Sequence, residues 1–147
     1  ALSDHPERRA AFEAPMAGFR KAMAAGDHDT AARAFTAVWG GGPAWEALPE
    51  AQRRLLASQM RLVAAGEAAL YHDPGGMLVP GILEAVTAPV LLVEGSQSPP
   101  VIAAINKGLA ARMPRAGRTV ITGAGHMLPI THAPRLAPEI LRFLETA

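Results

Sequence analysis

The run Pro89-Val90-Leu91-Leu92-Val93 has no polar residue at any position. A strand wet on one face alternates apolar with polar side chains, so an unbroken, β-branched apolar run reads as a strand buried on both faces. Arg118-Thr119-Val120-Ile121 supplies a second short strand. Between them, from about Pro99 to Arg112, Val101, Ile102, Ile105 and Leu109 recur at helical spacing. Strand, helix and strand joined this way require a parallel pair with a right-handed crossover. A last helix, from about Pro134 to Thr146, turns Leu136, Ile140, Phe143 and Leu144 inward. The fold class is therefore α/β.

A parallel pair alone is an unfinished sheet. Both faces need cover and both edges need partners, because unpaired backbone N–H and C=O groups are costly in an apolar setting. The strand at Val90 to Val93 is too apolar for a bare edge. The expectation is a sheet completed by another segment, by a second polypeptide, or by a swapped copy of the same chain in a homodimer. The alternative is a helical block laid over the edge.

That block is residues 1–76, which read as helical. Ser3 or Asp4 is placed to cap a first helix carrying Phe12, Met16, Phe19 and Met23, with a kink expected at Pro15. Asp27 caps a second helix with Ala31, Ala34, Phe35 and Val38 in a stripe. Gly40-Gly41-Gly42-Pro43 breaks the chain, and Trp45 and Leu48 lie in a short turn or helix. A third helix from Pro49-Glu50 sets Leu55, Leu56, Met60 and Val63 on one side. Asp73-Pro74-Gly75-Gly76 is the boundary with residues 77–147, the β-α-β-α part.

Composition excludes several function classes. Lys and Arg are scattered and the net charge is +1, so nothing favours nucleic acid or an anionic membrane. The apolar runs are all far shorter than the roughly 20 residues of a membrane span. Without cysteine there is no thiolate metal site and no cysteine nucleophile. The first residues have no signal-peptide pattern, which favours the cytoplasm, although the compartment is not fixed by it. Gly40 to Gly42 lacks the partners of a phosphate loop, and His126 and His132 lie six apart with no H-E-x-x-H, so no metal is implied.

The chemistry centres on His126. It lies in Gly123-Ala124-Gly125-His126-Met127, directly after the second strand. Open parallel sheets place functional groups at the C-terminal ends of their strands. A histidine there suits the role of general base for a hydroxyl nucleophile.

With these features in order, residues 88–147 resemble the end of a serine-type α/β-hydrolase. The resemblance rests on Ala88 to Gly95, the Ser98-Pro99-Pro100 helix start, Met113-Pro114, the Gly-Ala-Gly-His-Met turn, and the Pro134 helix ending Arg142-Phe143-Leu144. Residues 1–76 are similar, more loosely, to the helical lid of that family. The resemblance implies a partial α/β-hydrolase fold acting on small, largely apolar esters or related carbonyl compounds. It implies His126 as catalytic base and no cofactor. Phe35, Trp39 and Met127 are the candidates for contacting an apolar substrate, although helical spacing alone assigns Phe35 and Trp39 to a core.

The chain departs from the pattern twice. Its serines are Ser3, Ser58, Ser96 and Ser98, and none sits in a G-x-S-x-G elbow. Ser98 occupies the place where the resemblance expects the acidic member of the triad. The nucleophile and the acid would then come from an N-terminal hydrolase segment or a second chain. Glu94, the nearest carboxylate, reads as a wet strand-end residue, and Asp73 as a weaker candidate still. The non-catalytic alternative is an associating or ligand-binding module of the same origin.

Overall fold

The computed structural model describes residues 6–147, with the backbone alone described at 6–9, 11, 12 and 15. The caps expected of Ser3 or Asp4 and the side chain of Phe12 thus lie outside the described residues. The chain forms two compact units, one of residues Pro6–Gly76 and one of residues 77–147.

The first unit is helical: α1 (Pro6–Ala24), α2 (His28–Trp39) and α3 (Glu50–His72), with a short 3-10 turn at Trp45–Ala47. Asp27 starts α2 by accepting the Thr30 N–H at 3.0 Å, which satisfies one orphan donor of the first turn. α1 runs as one helix through position 15, where a kink was expected. Proline removes one backbone bond there without ending the helix. Phe19 and Met60 are fully enclosed, packed with Met16, Ala31, Ala32 and Ala57. Leu55 is not on that side as expected: it is 58% exposed. The inward stripe of α3 instead runs through Leu56, Ala57, Met60 and Val63, and position 55 falls one helical step off it. Arg20 reaches from α1 to Glu67 of α3 at 2.6 Å and stacks over the Tyr71 ring.

The second unit holds β1 (Val90–Gly95), α4 (Pro100–Arg112), β2 (Ala116–Ile121), α5 (Leu128–Thr131) and α6 (Ala133–Thr146). β1 and β2 pair in parallel from Val90↔Ala116 to Gly95↔Ile121. Among the described residues these two strands are the whole sheet. Side chains alternate faces along a strand. Val93 and Ile121 therefore share one face, packed with Leu128 of α5 and Leu136 of α6. Glu94 and Arg118 share the other, where Asn106 of α4 meets them. Helices thus cover both faces, while among the described residues no strand lies beside the outer edge of β1. The α6 stripe is only partly inward: Leu136 is buried, whereas Ile140 and Leu144 are 40% and 64% exposed. β1, expected to be fully buried, is half-buried from Val90 to Val93 for the same reason.

The segment before β1 is fastened to α4. Arg112 donates to both oxygens of Glu84, at 2.7 and 3.1 Å, and to the carbonyls of Leu78 and Val79 at 2.9 and 3.0 Å. Glu84 also accepts the Gly81 N–H at 2.8 Å. The Arg112 guanidinium holds the Glu84 carboxyl down at about 2. A carboxylate with a depressed value stabilises the fold above its ordinary range and loses that effect as pH falls through the lowered value.

Two outcomes are expected. Phe19→Ala costs about 3–5 kcal/mol in urea unfolding, whereas Leu55→Ala stays within about 0.5 kcal/mol. On acidification from about pH 4.5 towards 2, protection of the Gly81 amide, taken relative to an unstructured chain at the same pH, falls ahead of global unfolding, and Arg112→Ala shows the same loss of protection at neutral pH.

Candidate active site

β2 ends at Ile121, and the chain turns back through Thr122, Gly123 and Ala124 before His126. The turn closes with the Ala124 N–H donating to Ile121 O at 3.3 Å. Gly123 has φ +78, a left-handed conformation that a side chain disfavours. Ala124 is fully buried under the loop that leaves β1. His126 then stands half-buried at the C-terminal end of the sheet, one residue ahead of Met127, and α5 begins with the Leu128 N–H on Gly125 O at 3.2 Å.

The β1 exit loop and the histidine loop brace each other. The Ser96 N–H donates to Ile121 O at 3.0 Å, and the Gln97 N–H to Ala124 O at 2.9 Å. The Ser96 hydroxyl accepts the Gly123 N–H at 2.8 Å. From α6, Arg135 donates to Thr122 O at 2.7 Å. The loops approach so closely that a Cβ at Gly95 would lie 2.2 Å from Ala124 O and 2.6 Å from Gly125 O.

His126 and Met127 open onto a groove of about 750 Å³ in the second unit. Its walls are largely apolar: Leu91 and Val93 of β1, Ile102 of α4, and Ile140 and Phe143 of α6. Lining from both faces of β1 means that the groove follows the strand's outer edge. Burial pushes the His126 imidazole below its ordinary value of 6.5, because the apolar surroundings disfavour the cation. The ring is therefore neutral at pH 7, the form that accepts a proton.

Glu94 lines the same groove but is not the wet strand-end residue expected of it. It is 5% exposed, with one oxygen on Arg118 at 2.6 Å and the other on Asn106 at 2.7 Å. The register explains the ion pair: Glu94 faces Val120, so Arg118 is the next residue on that face. A carboxylate so engaged is a structural group of the groove wall. Asp73 belongs to the other unit, as the left-handed cap of α3.

The remaining expected contacts divide between the units. Phe35 and Trp39 pack into the helical unit's own core, with ring centroids 5.8 Å between Phe19 and Phe35 and 6.3 Å between Phe35 and Trp39. His132 precedes α6 and bonds Thr131 Oγ1 at 2.8 Å. Ser58 donates to Leu55 O within α3 at 2.7 Å. Ser98 lines the same groove, with its Oγ enclosed and without a hydrogen-bond partner. Sequence reasoning did not single out Ser96, Asn106, Arg118 or Arg135. Only the parallel register and the loop-to-loop contacts, which are long-range, give them a role.

The expected titration of His126, read by NMR, has a midpoint below 6.5. Its neutral ring supports the fold fully above that value, and the support falls as pH drops towards the lowered midpoint, because the unfolded chain takes up the proton first. Gly95→Ala costs about 1–3 kcal/mol in thermal unfolding through overpacking against Ala124. Comparison of the chain with protein-family models, with curated proteins and with solved structures gives no match.

Proposed function

We propose that the chain is the C-terminal portion of a serine-type α/β-hydrolase for small, largely apolar esters or related carbonyl substrates. His126 is its general base, and the fold is a partial α/β-hydrolase fold. The observation that carries the reading is a neutral, half-buried histidine at the C-terminal end of a parallel strand, held by a braced loop and opening onto an apolar groove. An imidazole in that state takes a proton from a hydroxyl nucleophile and returns it to a leaving group. Apolar walls suit acyl or alkyl groups over charged ones.

The nucleophile and the acid come from outside this chain, in an N-terminal hydrolase segment or a second polypeptide. The serine contexts support this: Ser58 is bonded within a helix, Ser96 bonds Gly123, and the Ser98 hydroxyl is enclosed. So does the outer edge of β1, where a strand would satisfy the backbone and cover Leu91 and Val93 together. In this reading Met127 contacts substrate, while Phe35 and Trp39 shape the lid from its core.

The open edge and groove also favour a second reading, a non-catalytic module that associates through β1 or holds an apolar ligand. Among the described residues no helix is long and apolar enough to cross a membrane.

Intact-mass spectrometry under denaturing conditions, before and after a serine-reactive phosphonate, separates the two. The hydrolase reading expects a co-purifying polypeptide that gains the probe mass while the 15.4 kDa chain does not. It also expects His126→Ala to abolish that labelling. If nothing takes up the probe, or if His126→Ala labels normally, the catalytic reading falls.

A further inference from the structure

Several of the contacts that hold the turn carrying His126 come from outside it. Gly123 lies in the left-handed region, three residues before the histidine, and the turn contributes one 3.3 Å backbone bond. Further fixation comes from outside. Arg135 anchors the Thr122 carbonyl from α6 at 2.7 Å. On the opposite side stands the β1 exit loop, in which Gln97 bonds the Ala124 carbonyl and Gly95 leaves no room for a side chain. One side-chain group of that loop reaches the left-handed residue itself: the Ser96 hydroxyl, which accepts the Gly123 N–H at 2.8 Å. The Ser96 backbone N–H is spent on Ile121 O, so residue 96 grips the strand end and the turn after it at once.

We infer that Ser96 is a positioning residue for His126, fixing through Gly123 the depth at which the imidazole sits in the groove. The inference rests on the proposed role of His126 in proton transfer, but its geometry does not depend on which reaction follows. Ser96 is itself exposed and lies outside the groove lining, so it acts through the turn and not on a ligand. A small displacement of a proton-transfer group is costly in rate because its geometry must match the transition state. The titratable group sharing the groove is Glu94, held by Arg118 and Asn106, neither of which touches Ser96. His132 is held by Thr131, and Glu139 and Arg142 pair along α6.

The test is an NMR pH titration of the His126 ring in the 147-residue chain, with Ser96→Ala and Ser96→Thr beside the unaltered protein. Ser96→Ala is expected to move the His126 midpoint up towards 6.5, the value of a solvated ring. Ser96→Thr, which keeps the hydroxyl, is expected to restore the original midpoint. In the protein joined to its nucleophile-bearing partner, Ser96→Ala is expected to lower kcat about tenfold with little change in KM. An unmoved His126 midpoint in Ser96→Ala, accompanied by faster exchange at the Gly123 amide, would overturn the inference, because the bond would be lost without consequence for the ring. Equal shifts in the Ala and Thr variants would overturn it too. If the midpoint moves as expected but His126→Ala leaves phosphonate labelling intact, the positioning role stands and the hydrolase reading fails.

Discussion

The outer edge of β1 governs the second unit. A peptide edge carries donors and acceptors that cannot be made apolar, whatever side chains the strand bears. Here the side chains are valine and leucine, so the edge combines polar backbone with an apolar surround, the pairing that a further strand satisfies best. The half-burial of Val90 to Val93, the exposure of Ile140 and Leu144, and the groove around the strand share this origin. α6 is a clear case. Its apolar stripe is regular, yet beyond Leu136 it is only partly covered by the described residues, with Ile140 and Leu144 exposed.

The same constraint shapes the chemistry. A histidine at the end of β2 is held by contacts to the exit of β1, so the two strands act as one platform for one side chain. The brace is built mostly from backbone groups, with Ser96 and Arg135 as its side-chain members. Glu94 contributes charge balance to the wall. Its pairing with Arg118 keeps a carboxylate tolerable at that depth, since an unpaired one would be strongly disfavoured.

Local patterns were readable in the amino-acid order, and long-range ones were not. Valine and leucine in a run marked β1, and the spacing of Val101, Ile102, Ile105 and Leu109 marked α4, because both depend on neighbours a few residues away. The parallel pairing followed from the length of the connection. Leu55 was misread because a leucine next to an inward leucine fits either side of a stripe until the partner helix is known. Glu94 was misread because strand ends are usually wet, whereas the register here brings Arg118 alongside and α4 brings Asn106. Pro15 reads as a kink or a restart of α1, and the helix continues through it without restarting. In the candidate site, His126 and Met127 were legible from the glycine turn. Ser96 was not, because its role exists only across the gap between two loops.

The helical unit has a different consequence, for the order in which the molecule assembles. Its core joins α1 to α2 and α2 to α3, helices that follow one another along the chain and meet through short connections. Contacts between near neighbours in sequence close small loops and form quickly, whereas a parallel strand pair must wait for its crossover helix to be made. During synthesis the residues up to Gly76 leave the ribosome before β1 does. Phe19, Ala31 and Met60 can therefore come together while the strands are still unmade, and the apolar β1 run is fully exposed for the interval in which α4 and β2 follow it.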